Sequence, residues 1–377
     1  MSKLAELEKL GQSVWFDYIR RSLITSGELT GLIEKGVRGI TSNPAIFEKA
    51  IAGSNDYDDS IQQLARADKS VDEIYETLAY EDIGMAADLL RQTYDSSGGI
   101  DGYVSLEVNP HLANETEKTI REAIRLYETL GRPNVMIKVP ATAAGLPAIT
   151  ELIGTGVNVN VTLIFGLENY KAVADAYIGG LEKLAAAGPT AAAGHPADAV
   201  SSVASFFVSR VDSAIDKELQ KLNQTQLLGK SAIANSKLAY AEFKKIFSGS
   251  RWQALKDQGA RVQRVLWAST STKNPDFVDT LYVDELIGPD TVNTMPPATL
   301  ESFLDHGRVA ETLTQDWEAA RKHIARLADL GIDLQQITRQ LQEDGVEAFA
   351  KPFDALMQSI AEKRERLLKA QGRAHRA

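Results

Sequence analysis

Lys138 stands inside an apolar run, with Met136 and Ile137 before it and Val139 and Pro140 after it. On a strand, Val135, Ile137 and Val139 share one face, and Met136 and Lys138 share the other. One ammonium in such a segment either snorkels to water at the strand end or is buried for a reason. Burial favours the neutral amine, and a neutral lysine amine is a nucleophile toward carbonyl carbon. The plainer reading is an edge-strand lysine facing solvent, and this stretch alone does not decide between the two.

Other polar residues keep it company. Asp17 ends the run SVWFD, and Asn43 follows the run ending GITS. The segment YVSLEVN puts Tyr103, Ser105, Glu107 and Asn109 on one face. VNVNVTLIF sets Asn158, Asn160 and Thr162 against Val157, Val159, Val161 and Leu163. SSVASFFVSR carries Ser205 and Phe207, then Arg210; VLWASTSTK carries Trp267, Ser269 and Ser271, then Lys273. Each has an ordinary structural role open to it: Glu107 paired to an arginine, Asp17 capping a helix, Asn43-Pro44 starting a turn, Arg210 in a surface ion pair. Yet every exception lies in the last part of its strand or just beyond, which points to one shared site.

These residues need elements to position them. Short apolar runs at 13–17, 37–41, 103–108, 135–139, 157–165, 200–208, 262–269 and 291–295 alternate with helical patterns such as 115–130 and 167–184. The run at 291–295 is the weakest. Such alternation means parallel strands with crossover helices. Eight units predict a closed (β/α)8 TIM barrel, with an open doubly wound sheet as competitor. In a barrel the site lies at the carboxyl ends of the strands. Residues 48–99 exceed one crossover and predict two or three inserted helices after strand 2. Residues 219–259 predict one or two more after strand 6, and 185–198 read as a mobile Ala/Gly/Pro-rich loop. From 296 onward the pattern is helical, ending in a basic tail at 363–377 read as a solvated helix end. No repeat or linker divides the chain, so 1–377 reads as one barrel domain.

Composition narrows the class. The chain has 377 residues, 44% hydrophobic and 24% charged, and no cysteine, which excludes thiolate nucleophiles and disulfides. No apolar run reaches membrane length, and MSKLAELEKL is amphipathic rather than a signal peptide, so a cytoplasmic protein is expected. A net charge of −10 argues against broad nucleic-acid binding, and an anionic substrate would need a local basic cluster. The five histidines show no i, i+4 ligand pair, so no metal site is expected. Leu228-Gly229-Lys230-Ser231 lacks the leading glycine of a phosphate loop, with Gln224 in its place.

Two segments resemble a known family. GITSNPAIF at 39–47 is similar to the strand-two signature of transaldolases, and MIKVPAT at 136–142 with Gly145 is similar to their Schiff-base lysine signature. Asn160-Val161-Thr162 and the segment 205–210 resemble the family in order and spacing, and the length and Trp267-Ala268-Ser269-Thr270 resemble its longer bacterial branch. The resemblance implies that Lys138 forms an imine with a ketose donor, that Asp17 takes the hydroxyl proton during carbon–carbon cleavage, and that Glu107 works with Thr162 through a water. It implies that Asn43 and Asn160 hold the dihydroxyacetone moiety and that Ser205 and Phe207 line the pocket. Arg210 and Ser269 would bind the sugar phosphate. Where the short branch has a second phosphate-binding arginine this chain has Ser271, and Lys273 is the candidate replacement.

The chemistry suits these groups, because a protonated imine is a better electron sink than a neutral carbonyl and needs no cofactor. A carboxylate set too close to Lys138 would oppose the neutral amine. The implied partners are sugar phosphates, with no membrane or nucleic acid, for a monomer or homodimer. An aldolase releasing free dihydroxyacetone and a non-catalytic sugar-phosphate-binding barrel are the rival readings.

Overall fold

In the computed structural model, which describes residues 2–187 and 197–374, the eight apolar runs become eight parallel strands of one closed barrel. They are β1 (Gln12–Phe16), β2 (Val37–Thr41), β3 (Tyr103–Glu107), β4 (Val135–Pro140), β5 (Val159–Ile164), β6 (Ser202–Phe207), β7 (Arg264–Ala268) and β8 (Thr291–Met295). The weakest pattern closes the ring, for β8 runs beside β1 with Gln12 opposite Thr291 and Phe16 opposite Met295. Closure leaves no edge strand, so β-branched residues pack on both faces of the wall.

The interior is layered. At the end where the strands begin, Arg264 pairs with Asp101 at 2.8 Å and donates to Ser13 Oγ at 2.8 Å. Ser13 and Trp15 Nε1 in turn donate to the same carboxylate. Trp15 lies against β2, where a Cβ on Gly39 would stand 2.7 Å from the indole. Only glycine leaves that space.

One face assignment is corrected. Strict alternation placed Trp267 on the same face as Ser269, but Arg264 and Ala268 mark the inward face of β7. Trp267 instead packs against Phe206, ring centroids 6.1 Å apart. Ser269 has φ +56°, a left-handed residue that breaks the period of two and turns the following chain toward the barrel mouth. A second such residue, Leu163 at φ +61°, accompanies a register shift between β5 and β6.

The chain after β2 opens with Pro44–Ala52, and residues 48–99 then hold three whole helices, as expected: Asp58–Arg66, Val71–Leu89 and the short Arg91–Ser96. Ser70 and Glu73 cap Val71–Leu89 reciprocally. Buried Asp82 ties the insertion to the chain after β1 by accepting from Arg21 and Tyr57. After β6, Ser209–Lys221 is followed by Ser231–Ile246 and Ser250–Lys256, as expected for residues 219–259. The expected loop at 185–198 lies mostly outside the described residues, and so does the end of the basic tail. No helix among the described residues is long and apolar enough to cross a membrane.

The tail differs from its reading as a solvated end. It belongs to a helix of 41 residues, Leu334–Ala374, that crosses the barrel mouth and reaches the insertion. Lys363 is buried there, paired with Asp58 at 2.7 Å, and Arg366 reaches the same carboxylate at 3.3 Å. These partners lie 305 residues or more away in sequence, so local charge alone could not reveal them.

Candidate active site

A cavity of about 520 Å³ opens at the carboxyl end of the barrel. Lys138 lies in it, next to the end of β4, with Glu107 of β3 and Asn160 of β5 as its cross-strand neighbours. It is 5% exposed, which removes the edge-strand reading. Its Nζ donates to the Ser42 carbonyl at 3.0 Å and lies 3.3 Å from Glu107 Oε2. The Phe349 ring centroid stands 5.5 Å away.

Glu107 pairs with this lysine and not with an arginine. The contact is close enough for an ion pair but not aligned as a hydrogen bond, and both carboxylate oxygens are buried without a donor. Burial raises the Glu107 pKa, and the nearby Lys138 charge offsets this only in part. Thr162 Oγ1 is likewise buried without a partner. Such groups are rare in protein interiors and call for a reason. Glu107 does not open on the main cavity; it borders a separate one of about 50 Å³ beside Tyr75 and Asn109.

Asp17 follows β1 directly and caps no helix. Thr41 donates to Asp17 Oδ1 at 2.6 Å and also meets Thr294 Oγ1 at 2.6 Å, so with Asp17 ionised Thr294 must be the donor of that second bond. Part of Asp17 stays open to the cavity, yet protein encloses the carboxyl closely. Burial raises its pKa, with the Thr41 bond and the Lys138 charge pulling the other way.

Asn43 starts a helix where a turn was expected. Its Oδ1 caps the helix Pro44–Ala52 by accepting from Ile46 N at 3.0 Å, which leaves the amide NH2 end for the cavity it lines. Asn160 sits deeper than expected. It does not line the cavity, and its amide donates to Ser105 Oγ at 3.0 Å while its oxygen accepts from Ser205 Oγ at 2.6 Å. Ser205 and Phe207 line the cavity.

At the rim, Arg210 lies in the first turn of Ser209–Lys221, 5.4 Å over the Phe207 ring. It forms no ion pair among the described residues, against the surface-pair reading, and burial lowers its pKa. Lys273 donates to Ser271 at 2.7 Å; burial and the Arg210 charge lower its pKa as well. Ser269 meets Ser209 Oγ at 2.9 Å. Two cations close enough to influence one another, beside hydroxyls and a helix start, make an arrangement chemically suited to an anion.

Thus Lys138, Asp17, Thr162, Asn43, Ser205, Phe207, Arg210, Ser269, Ser271 and Lys273 share one cavity, with Glu107 and Asn160 beside it. Thr41, Thr294, Lys49 and Phe349 also line it and were not anticipated. Phe349 had a legible signal: Gly345, Phe349, Phe353, Leu356 and Ile360 recur at helical spacing. The segment at 228–231 holds no phosphate cradle. Gly229 N–H donates to Asp216 and Ala232 N–H to Asp212, so carboxylates already occupy that helix start. Among the described residues no group of three or more His, Asp or Glu is arranged to hold a metal ion.

Comparison with known proteins agrees over nearly the whole chain. The family model described as transaldolase/fructose-6-phosphate aldolase matches residues 14–360. A protein named transaldolase from Trichodesmium erythraeum is 49% identical, over 97% of this chain and 98% of its own. One of the same name from Thermobifida fusca is 46% identical, over 96% and 98%. A transaldolase 2 from Nostoc punctiforme is 47% identical, over 96% and 97%.

Proposed function

Since this chain belongs to the transaldolase/fructose-6-phosphate aldolase family, we propose that it is a transaldolase of the pentose phosphate pathway. It moves a dihydroxyacetone unit from a ketose phosphate, sedoheptulose 7-phosphate or fructose 6-phosphate, to an aldose phosphate, glyceraldehyde 3-phosphate or erythrose 4-phosphate. The whole chain, 1–377, acts as one unit in the cytoplasm, as a monomer or homodimer. The observation that carries the reading is a buried amine 3.3 Å from a carboxylate that receives no hydrogen bond among the described residues, in a cavity lined also by Arg210 and Lys273.

The roles follow from the positions. A proton passed from Lys138 to Glu107 leaves a neutral amine beside a neutral acid, which the burial of Glu107 favours. The amine attacks the ketose carbonyl carbon. Glu107, with Thr162 and a water, returns the proton to the carbinolamine oxygen, which departs as water and leaves a protonated imine. Asp17 then takes the proton of the hydroxyl beside the breaking carbon–carbon bond. The bond's electron pair moves into the imine, an aldose phosphate leaves, and a three-carbon enamine remains on Lys138. The reverse steps with a new aldose complete the transfer. Asn43 and Ser205 orient the bound fragment, with Asn160 holding Ser205 in place. Arg210, Ser269 and Lys273 bind phosphate where the global charge of −10 would repel it.

The test is borohydride reduction in the presence of fructose 6-phosphate, followed by mass analysis of the peptide containing Lys138. A stable three-carbon addition is expected there. If none forms, the Schiff-base reading fails. Product analysis with and without erythrose 4-phosphate then separates transfer from simple release.

A further inference from the structure

We infer that Phe349, carried by the helix Leu334–Ala374, is a specificity-determining residue that keeps the Lys138-bound fragment for transfer instead of release. This rests on the Schiff-base reading above. The ring centroid is 5.5 Å from Nζ, and the residue is 6% exposed and lines the cavity. Among the residues lining that cavity it is the one supplied from this helix.

The helix is fixed on both sides of the ring. Before it, Gln342 Nε2 donates to the Ala141 carbonyl at 2.8 Å and the Leu163 carbonyl at 3.0 Å, at the ends of β4 and β5. Gly345 meets β5 so closely that a Cβ would stand 2.9 Å from Leu163 Cδ2. After it, Leu356 and Ile360 are fully buried and Lys363 pairs with Asp58. Residues 342, 345, 349, 356, 360 and 363 fall on one helical face. A side chain held from both ends is a fixed wall of the site, not a loose flap.

The chemistry gives that wall a task. The enamine on Nζ has two fates, which part at one step. In transfer, its nucleophilic carbon bonds to the aldehyde carbon of the acceptor, and the aldehyde oxygen gains a proton. In release, that carbon takes a proton instead and the iminium returns. Water then adds, the C–N bond breaks, and dihydroxyacetone leaves with the amine restored. An apolar ring over the amine limits access of bulk water, the proton source for release. The cavity stays lined by Arg210 and Lys273 at its rim, where a phosphorylated acceptor would bind.

The test measures free dihydroxyacetone against transfer product, with fructose 6-phosphate as donor and erythrose 4-phosphate as acceptor, beside borohydride trapping on Lys138. Phe349→Ala should raise the release-to-transfer ratio by about tenfold, a ~1.4 kcal/mol change between the two barriers, while trapping persists. Gly345→Leu has no room beside Leu163 and Phe165, displaces the helix, and should move the ratio the same way by less. It keeps the question open to test if Phe349→Ala does not fold. Leu7→Ala opens a cavity under the starts of the strands, away from this helix, and should leave the ratio at the parent value. A ratio unchanged in the first two variants, or raised equally in Leu7→Ala, overturns the assignment. Absence of trapping in the unsubstituted protein overturns the Schiff-base reading, and this inference with it.

Discussion

The barrel buries a cation–carboxylate pair at each end, and the two pairs are built differently. Where the strands begin, Asp101 accepts from Arg264, Ser13 and Trp15, so both oxygens have donors. Where they end, Glu107 lies 3.3 Å from Lys138 with neither oxygen receiving a hydrogen bond, and Thr162 nearby is also unpartnered. A fully satisfied network rigidifies a core, while groups left unsatisfied in low dielectric cost stability and persist where function needs them. The first pair holds the barrel. The second is held by it.

Substituting the two cations in turn is the strongest way to break this comparison. Lys138→Met should lower kcat by on the order of 10⁵- to 10⁶-fold, the scale of losing a covalent nucleophile. Its stability should shift by less than ~1 kcal/mol, because the buried Glu107 can take a proton once its neighbour is gone. Arg264→Met should do the reverse. It strands Asp101 without its cation and should cost about 3–5 kcal/mol in denaturant unfolding, with Schiff-base trapping on Lys138 retained. Equal stability losses at the two ends would erase the distinction.

Glu107→Gln tests the upper pair from its acidic side. Loss of a proton shuttle should lower kcat by about 10²- to 10⁴-fold. The stability effect carries a sign that a structural carboxylate would not show. Burial raises the Glu107 pKa in the folded protein, so its favourable contribution is present below the unfolded value and is lost as pH rises through the folded one. The variant should therefore gain stability relative to the parent between acidic and neutral pH, measured by urea unfolding at several pH values. A variant that instead lost stability relative to the parent as pH rises would place the ionised carboxylate on the stabilising side.

Asp17 sharpens the contrast further, because its carboxyl is raised by burial yet holds one strong donor in Thr41. If Asp17 acts ionised, kcat/KM should fall on the acid side with an apparent pKa above the ordinary aspartate value of about 3.9. Thr41→Val removes a hydrogen bond that favours the ionised form, so the acid limb should move up by about one unit. Because Asp17 and Glu107 interact, the limb belongs to the pair, and it is its displacement that is diagnostic.

How far these features could be read from the chain follows the range of the interactions involved. The strands were legible because each is a local apolar run, and even 291–295 proved to be a strand. The polar strand ends were legible because alternation assigns faces within one segment. That logic failed at β7, where alternation already sends Trp267 outward and a single left-handed residue, Ser269, returns the chain after it to the cavity side. It could not place Glu107 against Lys138, since register between strands depends on barrel closure and not on either strand alone. Phe349 was missed for a related reason. Its spacing marks a buried helix face, but only the tertiary path of that helix says what the face covers.

The smallest effect is expected at the rim, and it tests the same contrast without any buried pair. Arg210 and Lys273 line the same cavity with no ion pair to either among the described residues, and each has its pKa lowered by burial. Arg210 is the more enclosed, stacked on Phe207, and offers a planar fork suited to a phosphate. Lys273 is the less enclosed of the two and already donates to Ser271, so more of its charge acts across solvent, where screening is strong. Arg210→Ala should raise KM for erythrose 4-phosphate by about 10²-fold with a smaller change in kcat, as for a lost charge-assisted contact. Lys273→Ala should raise it only about threefold, and less as salt is added. A Lys273 effect as large as that of Arg210 and insensitive to salt would mean that the loop after β7 closes on the bound phosphate and desolvates the lysine. The rim would then resemble the closed network at the far end of the barrel more than the open one around Lys138.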